Sequence, residues 1–324
     1  MHTFGTLFDI RYLARGLALY HSLVRNARPF ELWVLCLDDA THAALEQLAL
    51  EHLKLVPLAE LEAADPALLD IKGSRTPTEY YFTLTPAWTS FVLARTEANA
   101  WAAYIDADMI FYSSPEPIFD ELAEASVGIV PHRFPKRHRR MERFGRYNVG
   151  MVALRNDETG RAVLKDWRER CLEWCYDRVD ETGDRFADQK YLDAWPKSFP
   201  RVHEIAHPGA GVAPWNWMTA PIDVSHESPR IGNAPLIFYH FHRFRFVGAS
   251  GFASGLAATS RMPARVFERL YREYAQELVA RSHQAGVPVL RDPFWTPGSG
   301  VAGLRRSARL LWGMLPGNSA FGTR

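Results

Sequence analysis

Two carboxylates stand two residues apart in the run Ala102-Ala103-Tyr104-Ile105-Asp106-Ala107-Asp108-Met109-Ile110-Phe111, with apolar residues on both sides. Asp is disfavoured in strands, and a buried charge with no partner is costly. The pattern therefore asks for a compensating cation. In an extended backbone, residues i and i+2 share a face, so both side chains would point at one ion. Hard oxygen ligands suit Mg²⁺ or Mn²⁺, which keep coordination positions open for water and substrate phosphates. Asp106 and Asp108 are thus candidate ligands of a divalent metal that carries a diphosphate. The bland alternative is a pair of solvated turn carboxylates; the apolar flanks favour a buried strand end.

Other residues offer chemistry further along. Leu236 to His242 is an apolar strand that ends in His240 and His242 on one face, and neutral imidazole is a good metal ligand. Asp188 and Gln189 fall within Gly183 to Leu192, at the opening of an expected helix, where capping is the simple alternative. Lys72 to Pro77 is a basic loop with Lys72 and Arg75, and Pro131 to Arg140 is the densest positive run in the chain. The second run reads as a solvated loop, or as a contact to phosphates or an anionic acceptor after a strand end. The turn-rich His207 to Trp217 carries Trp215 and Trp217, candidates for an apolar platform or for packing.

The elements that must hold these residues follow from periodicity. Strands are expected at Thr3 to Phe8, Phe30 to Leu37 and Leu53 to Leu58, alternating with helices over Tyr12 to Leu23 and after Asp38. That alternation implies a parallel sheet with helices on its faces. Ligands of such sheets bind beyond the carboxyl ends of the strands, where Phe8-Asp9 and the Asp pair both fall. Gly16 lies inside the first helix, which a close backbone approach would explain. Thr78 to Leu93 is an aromatic-rich helix in which Pro86 is expected to make a break or kink. Further strands are expected at Val127 to Val130, Tyr147 to Leu154 and Val202 to Ile205, and helices at Asp157 to Asp177 and Val266 to Ala280.

The bulk composition sets limits. The 324 residues are 47% hydrophobic and 23% charged, an ordinary globular balance. The net charge of +1 gives no pull towards nucleic acid. The three cysteines, Cys36, Cys171 and Cys175, argue against a disulfide framework and fit a reducing compartment. Neither a signal peptide nor a membrane span is evident, so a cytoplasmic location is expected. Composition shifts near residue 248, dividing residues 1–247 from a linker and helical extension over 248–324. Within the extension, Leu304 to Leu315 is a short basic amphipathic segment; it either packs on the main domain or makes peripheral contact with the inner face of an anionic membrane.

Taken together, the motifs resemble the nucleotide-diphospho-sugar glycosyltransferases of the GT-A fold, especially family 8 and its bacterial relatives, over Thr3 to Phe244. Thr6-Leu7-Phe8-Asp9 with Tyr12 resembles that family's nucleobase and ribose segment. Tyr104-Ile105-Asp106-Ala107-Asp108 matches its metal and diphosphate motif. Tyr147-Asn148-Val149-Gly150 resembles the strand facing the donor sugar, Asp188-Gln189 the pair near the reacting carbon, and Tyr239-His240-Phe241 the late His-Phe. The resemblance implies a Rossmann-like, mostly parallel sheet flanked by helices. It implies a donor, usually a UDP-sugar, held by Phe8, Asp9, Tyr12, Lys72, Arg75, Asp106, Ala107, Asn148 and Gly150. It further implies Mn²⁺ or Mg²⁺ on Asp106, Asp108 and His240, with Gln189 and Asp188 at the anomeric carbon and retention of configuration. Phe8-Asp9 departs from the more polar family pattern, and His242 competes with His240 as ligand. The acceptor that the resemblance implies is a glycan, a lipid-linked molecule or a protein.

Two rivals remain at this level. Gly183-Asp184-Arg185-Phe186-Ala187-Asp188 fits the second motif of haloacid-dehalogenase phosphatases, though no apolar strand leads into it. A nucleotide-sugar- or carbohydrate-binding protein without catalysis is the other.

Overall fold

The computed structural model describes residues 1–248, 250–256, 261–292 and 319–320. The first half alternates as the periodicity predicts: β1 (His2–Phe8), α1 (Leu13–Asn26), β2 (Phe30–Cys36), α2 (Asp39–Leu48), β3 (Leu53–Pro57), α3 (Leu58–Ala64), α4 (Ala67–Lys72) and α5 (Pro77–Leu93). Next come β4 (Trp101–Ile105), β5 (Met109–Phe111), α6 (Glu116–Glu121), β6 (Val127–Pro131), β7 (Tyr147–Arg155), α7 (Glu158–Glu173), α8 (Trp195–Ser198) and β8 (Val202–Glu204). A sheet of seven strands runs in the order β3-β2-β1-β4-β7-β6-β8. Only β7 is antiparallel to its neighbours. The carboxyl ends of β1, β4 and β6 and the amino end of β7 therefore share one edge, where ligands of open α/β sheets bind.

Two apolar layers hold the sheet. On one face α1 and α2 bury Leu13, Leu17 and Leu45 with Phe4, Leu32 and Ile105. On the other, α5 and α7 bury Leu84, Trp88, Val163 and Trp167 with Tyr104 and Val152. Phe8 explains Gly16: a Cβ at Gly16 would come within 2.3 Å of the Phe8 ring, so α1 lies directly on the end of β1. Helix starts follow local chemistry. Asp38 caps α2 through the Thr41 amide, Asp157 caps α7 through the Gly160 amide, and Thr76 and Glu79 cap α5 reciprocally.

Three expectations need correction. α5 runs unbroken through Pro86, which is buried with its neighbours; packing of an almost wholly buried helix outweighs the lost backbone bond. The Asp-x-Asp stretch is not one strand. β4 ends at Ile105, the chain turns, and β5 leaves the large sheet. Gly183 to Leu192 does not open as an α-helix. Asp180 accepts from the amides of Asp184 and Arg185, which folds a loop instead, and a 3-10 turn starts only at Lys190.

The remaining elements build a third layer. β9 (Ile222–Asp223), β10 (Arg230–Ile231) and β11 (Ala234–Pro235) form a small antiparallel sheet, and β12 (Phe238–His240) pairs with β5. β13 (Arg245–Val247) and β14 (Gly251–Ala253) make a hairpin edged by β15 (Arg291–Asp292) and β16 (Ser319–Ala320). α9 (Ala264–Phe267) and α10 (Glu273–Gln284) flank a π-helical stretch at Glu268–Arg272. Their apolar face covers Tyr239, Phe241 and Phe244, with the Tyr239 and Tyr271 hydroxyls 2.7 Å apart in the core. The amphipathic segment at 304–315 lies outside the described residues. No helix among the described residues is long and apolar enough to cross a membrane.

Candidate active site

The turn after β4 is pinned from two sides. The Asp106 amide donates to Gly150 O on β7 at 2.9 Å, and Phe241, just past β12, donates to Asp108 O at 2.9 Å. Pairing of β12 with β5 sets His240 opposite Met109. Three side chains from distant parts of the chain thereby converge. His240 Nε2 lies 3.0 Å from Asp108 Oδ1 and 3.6 Å from Asp106 Oδ2, and the ligand atoms of all three lie within 4.8 Å of one another. The shared-face geometry expected of an extended strand is replaced by a turn, with the same convergence.

Their electrostatics suit a dication. Burial pushes Asp106 up, helped by the negative charge of Asp108 and opposed by His240. Burial would raise Asp108 too, but the His240 charge and hydrogen bond outweigh it and hold Asp108 down at about 2. His240 is raised because Asp108 and Asp106 overcome its burial. One imidazolium is thus shared by two carboxylates, which leaves negative charge over. Neutral imidazole and two carboxylates together match an M²⁺ ion. His240 Nδ1 is buried with no hydrogen-bond partner among the described residues, and a Cβ on Gly150 would come within 2.9 Å of it. The donor set fits Mn²⁺ or Mg²⁺. His242 is exposed and lies outside the converging set, which contains His240.

The residues expected to face a donor divide. Tyr12 is 44% exposed, feels the charges of Asp106 and Asp108, and carries Arg15 over its ring at 4.4 Å. Phe8 is buried against α1. Asp9 is buried and accepts from the Arg11 amide at 3.0 Å and Arg11 Nε at 2.8 Å. Lys72 binds Glu62 at 2.7 Å, and Arg75 donates to Leu172 O and lies 4.0 Å over the Tyr176 ring. The partners of Lys72 and Arg75 are thus outside the metal cluster.

β7 and the loop before Lys190 supply the rest. The register between β6 and β7 shifts after Ile129, so that Val130 pairs with Asn148 and the segment 149–151 bulges. Asn148 Oδ1 accepts from Gly150 N at 3.0 Å, while its Nδ2 lies 3.3 Å from both Gln189 Oε1 and His132 Nε2. Gln189 Nε2 donates to Phe144 O at 2.9 Å, which fixes the amide. Asp188 is buried, with Trp167 Nε1 donating to its carbonyl at 2.7 Å. Burial, with the charge of Asp106, pushes its carboxyl up to about 7 against a hydrogen bond from Thr85. Ala187, just before it, has φ 46°, a conformation that costs energy in a residue with a Cβ.

Sequence reasoning missed several members. The Tyr104 hydroxyl donates to Asp106 Oδ1 at 2.9 Å, and Arg15 offsets the charge of Asp108. His132 is buried, and burial holds it neutral with its pKa pulled down to about 3. Its aromatic flank was the only available signal, since it sat within the basic run. Arg133 of that run donates to Ala210 O and, at 2.6 Å, to Ile205 O, so it clamps the turn-rich loop. Asn216 holds the same loop to His132 O at 2.9 Å. Trp215 is thereby set with its ring centroid 5.5 Å from those of both His240 and His242.

No protein-family model matches the chain. Two Bacillus subtilis proteins match along most of their length. YfnD, an uncharacterized protein, is 34% identical over 245 residues, which is 75% of this chain and 78% of YfnD. YfnF, also uncharacterized, is 34% identical over 277 residues, 82% of this chain and 89% of YfnF. Among solved structures, the galactosyltransferase LgtC in complex with donor and acceptor sugar analogs aligns over 74% of this chain and 90% of its own, at 14% identity and a TM-score of 0.48. Mouse xyloside xylosyltransferase 1 aligns over 75% of this chain and 98% of its own, at 13% identity and a TM-score of 0.48. At 34% identity over most of its own length and of theirs, the chain belongs to the family of Bacillus subtilis YfnD and YfnF.

Proposed function

We propose that the chain is a metal-dependent glycosyltransferase that moves a sugar from a nucleotide-diphosphate donor, expected to be a UDP-sugar, to a saccharide or lipid-linked acceptor with retention. The observation that carries this reading is the convergence of Asp106, Asp108 and His240 at the carboxyl edge of the sheet. These three residues would hold Mn²⁺ or Mg²⁺, which when bound supplies Lewis-acid stabilisation of the departing diphosphate.

The chain's own groups account for the rest. Tyr12 offers an exposed ring face for the base. Asn148 fixes the Gln189 carbonyl, so the amide is aimed before a sugar arrives and needs no reorganisation as positive charge develops at the anomeric carbon. Asp188, kept protonated near neutral pH by burial, hydrogen-bonds sugar hydroxyls. Once ionised, it can act as nucleophile in a two-step route. Trp215 offers an apolar face for the acceptor. Phe8, Asp9, Ala107 and Gly150 shape the donor cleft, and Lys72 and Arg75 add positive charge at its margin.

The phosphatase alternative loses ground on one point: Asp184 of its second motif is exposed in the Asp180 loop, while Asp188 is buried. The test is Mn²⁺-dependent release of nucleoside diphosphate across a panel of nucleotide-sugars. The proposal expects release with at least one donor and none from Asp108→Ala. Full activity in Asp108→Ala, or phosphate release from an aryl phosphate alone, refutes it. Tight metal-dependent nucleotide binding without turnover on any acceptor supports the binding-protein alternative.

A further inference from the structure

One buried ring in the site takes no part in the proposed chemistry. The His132 amide donates to Arg146 O at 2.9 Å, and the His132 carbonyl accepts from Trp215 Nε1 at 3.0 Å and Asn216 Nδ2 at 2.9 Å. The ring stacks on Phe134, with centroids 4.6 Å apart and planes 12° from parallel. A phenyl ring could take that stacked place, whereas a buried imidazole must give up its hydration. The amides beside it supply the reason for an imidazole. Asn148 Oδ1 accepts from Gly150 N at 3.0 Å, which fixes the oxygen end of that amide. Gln189 Nε2 donates to Phe144 O at 2.9 Å, so the Gln189 oxygen faces Asn148. The two hydrogens on Asn148 Nδ2 are then divided between Gln189 Oε1 and His132 Nε2, each at 3.3 Å. Only an unprotonated Nε2 can accept, so the ring proton sits on Nδ1. The other tautomer would set two donors against each other. His132 Nδ1 has no hydrogen bond of its own among the described residues and makes no opposing demand.

We propose that His132 is a positioning residue for sugar transfer: its neutral Nε2 takes one hydrogen of the Asn148 amide, which commits the other to Gln189. The inference rests on the glycosyltransferase reading and deepens it. Without the His132 acceptor one Asn148 N–H is left unpaired, which favours turning the amide away from Gln189. A carbonyl oxygen has two lone pairs, so Gln189 Oε1 keeps one for charge developing at the anomeric carbon. Burial holds the ring neutral, with its pKa at about 3, so this acceptor persists at neutral pH.

One arm of the test needs no turnover. In the full chain carrying isotope-labelled histidine, in EDTA, the imidazole nitrogen resonances report the tautomer, and those of His132 are assigned by their absence from His132→Gln. Nδ1 should carry the proton, and the Nε2 resonance should move in Asn148→Ala, which removes its donor. In the second arm, His132→Phe keeps a stacked ring and should lose about ten-fold in kcat, the scale of one neutral hydrogen bond, with donor KM and Mn²⁺ affinity unchanged. His132→Gln, which offers a carbonyl oxygen near the Nε2 position, should regain most of that loss. Adding His132→Phe to Asn148→Ala should cost little more. A proton on Nε2, full kcat in His132→Phe, fully additive losses, or a loss that His132→Gln does not relieve overturns the proposal. So does a fall in Mn²⁺ affinity that matches the fall in kcat, which would make His132 a packing residue only. The expected tautomer and its dependence on Asn148, found in a protein that turns over no donor, leave the hydrogen-bond chain standing, overturn its role in transfer and place the fault in the transferase reading.

Discussion

Asp188 offers a stability test of the site that needs no substrate. Its carboxyl is buried beside Asp106 and ionises near pH 7 in the fold, against 3.8 ordinarily. The unfolded chain therefore loses this proton first. Between the two values the native state binds the extra proton, and folding stability falls as pH rises. Each pH unit in that window costs about 1.4 kcal/mol, which sums to about 4 kcal/mol by pH 8 as an upper figure. Asp188→Asn keeps the size and an acceptor oxygen but cannot ionise. The assay is urea unfolding in EDTA at pH 5 and pH 8. The variant's advantage over the wild type should grow by about 3 kcal/mol between pH 5 and pH 8, while donor turnover is lost. A stability difference that does not change with pH, or one that moves towards the wild type as pH rises, would refute the reasoning.

Three further outcomes follow from the same geometry. Gly150→Ala would bring a Cβ within 2.4 Å of Asn148 Oδ1 and 2.9 Å of His240 Nδ1; Mn²⁺ affinity should drop by about 10- to 100-fold, the usual cost of disturbing a ligand's support, and an unchanged affinity would count against this packing. Gln189→Ala should lower kcat by about 10²- to 10³-fold with little change in KM for the donor; a change in KM alone would assign it to ground-state binding. Because Asp108 and Asp106 raise the pKa of His240, the metal competes with a proton. Affinity should fall up to about ten-fold per pH unit below that raised value, and a flat profile would remove His240 from the ligand set.

Much of the fold could be read along the chain because its signals are local. Alternating apolar runs, with Asp38 before α2 and a helical stripe from Asp157, located the strands and helices of the sheet to within a few residues. The Asp pair and His240 were legible as ligand types, but their convergence depends on β5 leaving the sheet to pair with β12, a contact between Met109 and His240, 131 residues apart, that no short-range pattern encodes. His132 was hidden for the same reason: it sits in a charged run, and only the loop clamped by Arg133 and Asn216 buries it. Pro86 does not interrupt α5 because Thr83 to Thr89 are all buried around it, and packing overrides local propensity. The ion pair of Lys72 with Glu62 was not legible, because Glu62 lies ten residues back in a part of the chain that carried no signal.

The most direct test of the metal centre is Mn²⁺ binding itself, followed by electron paramagnetic resonance or calorimetry at neutral pH in the wild type, Asp108→Ala and His240→Ala. One equivalent should bind the wild type, and binding should be lost or weakened by at least about ten-fold in each variant, with circular dichroism unchanged. One equivalent bound with equal affinity in all three proteins would contradict the account.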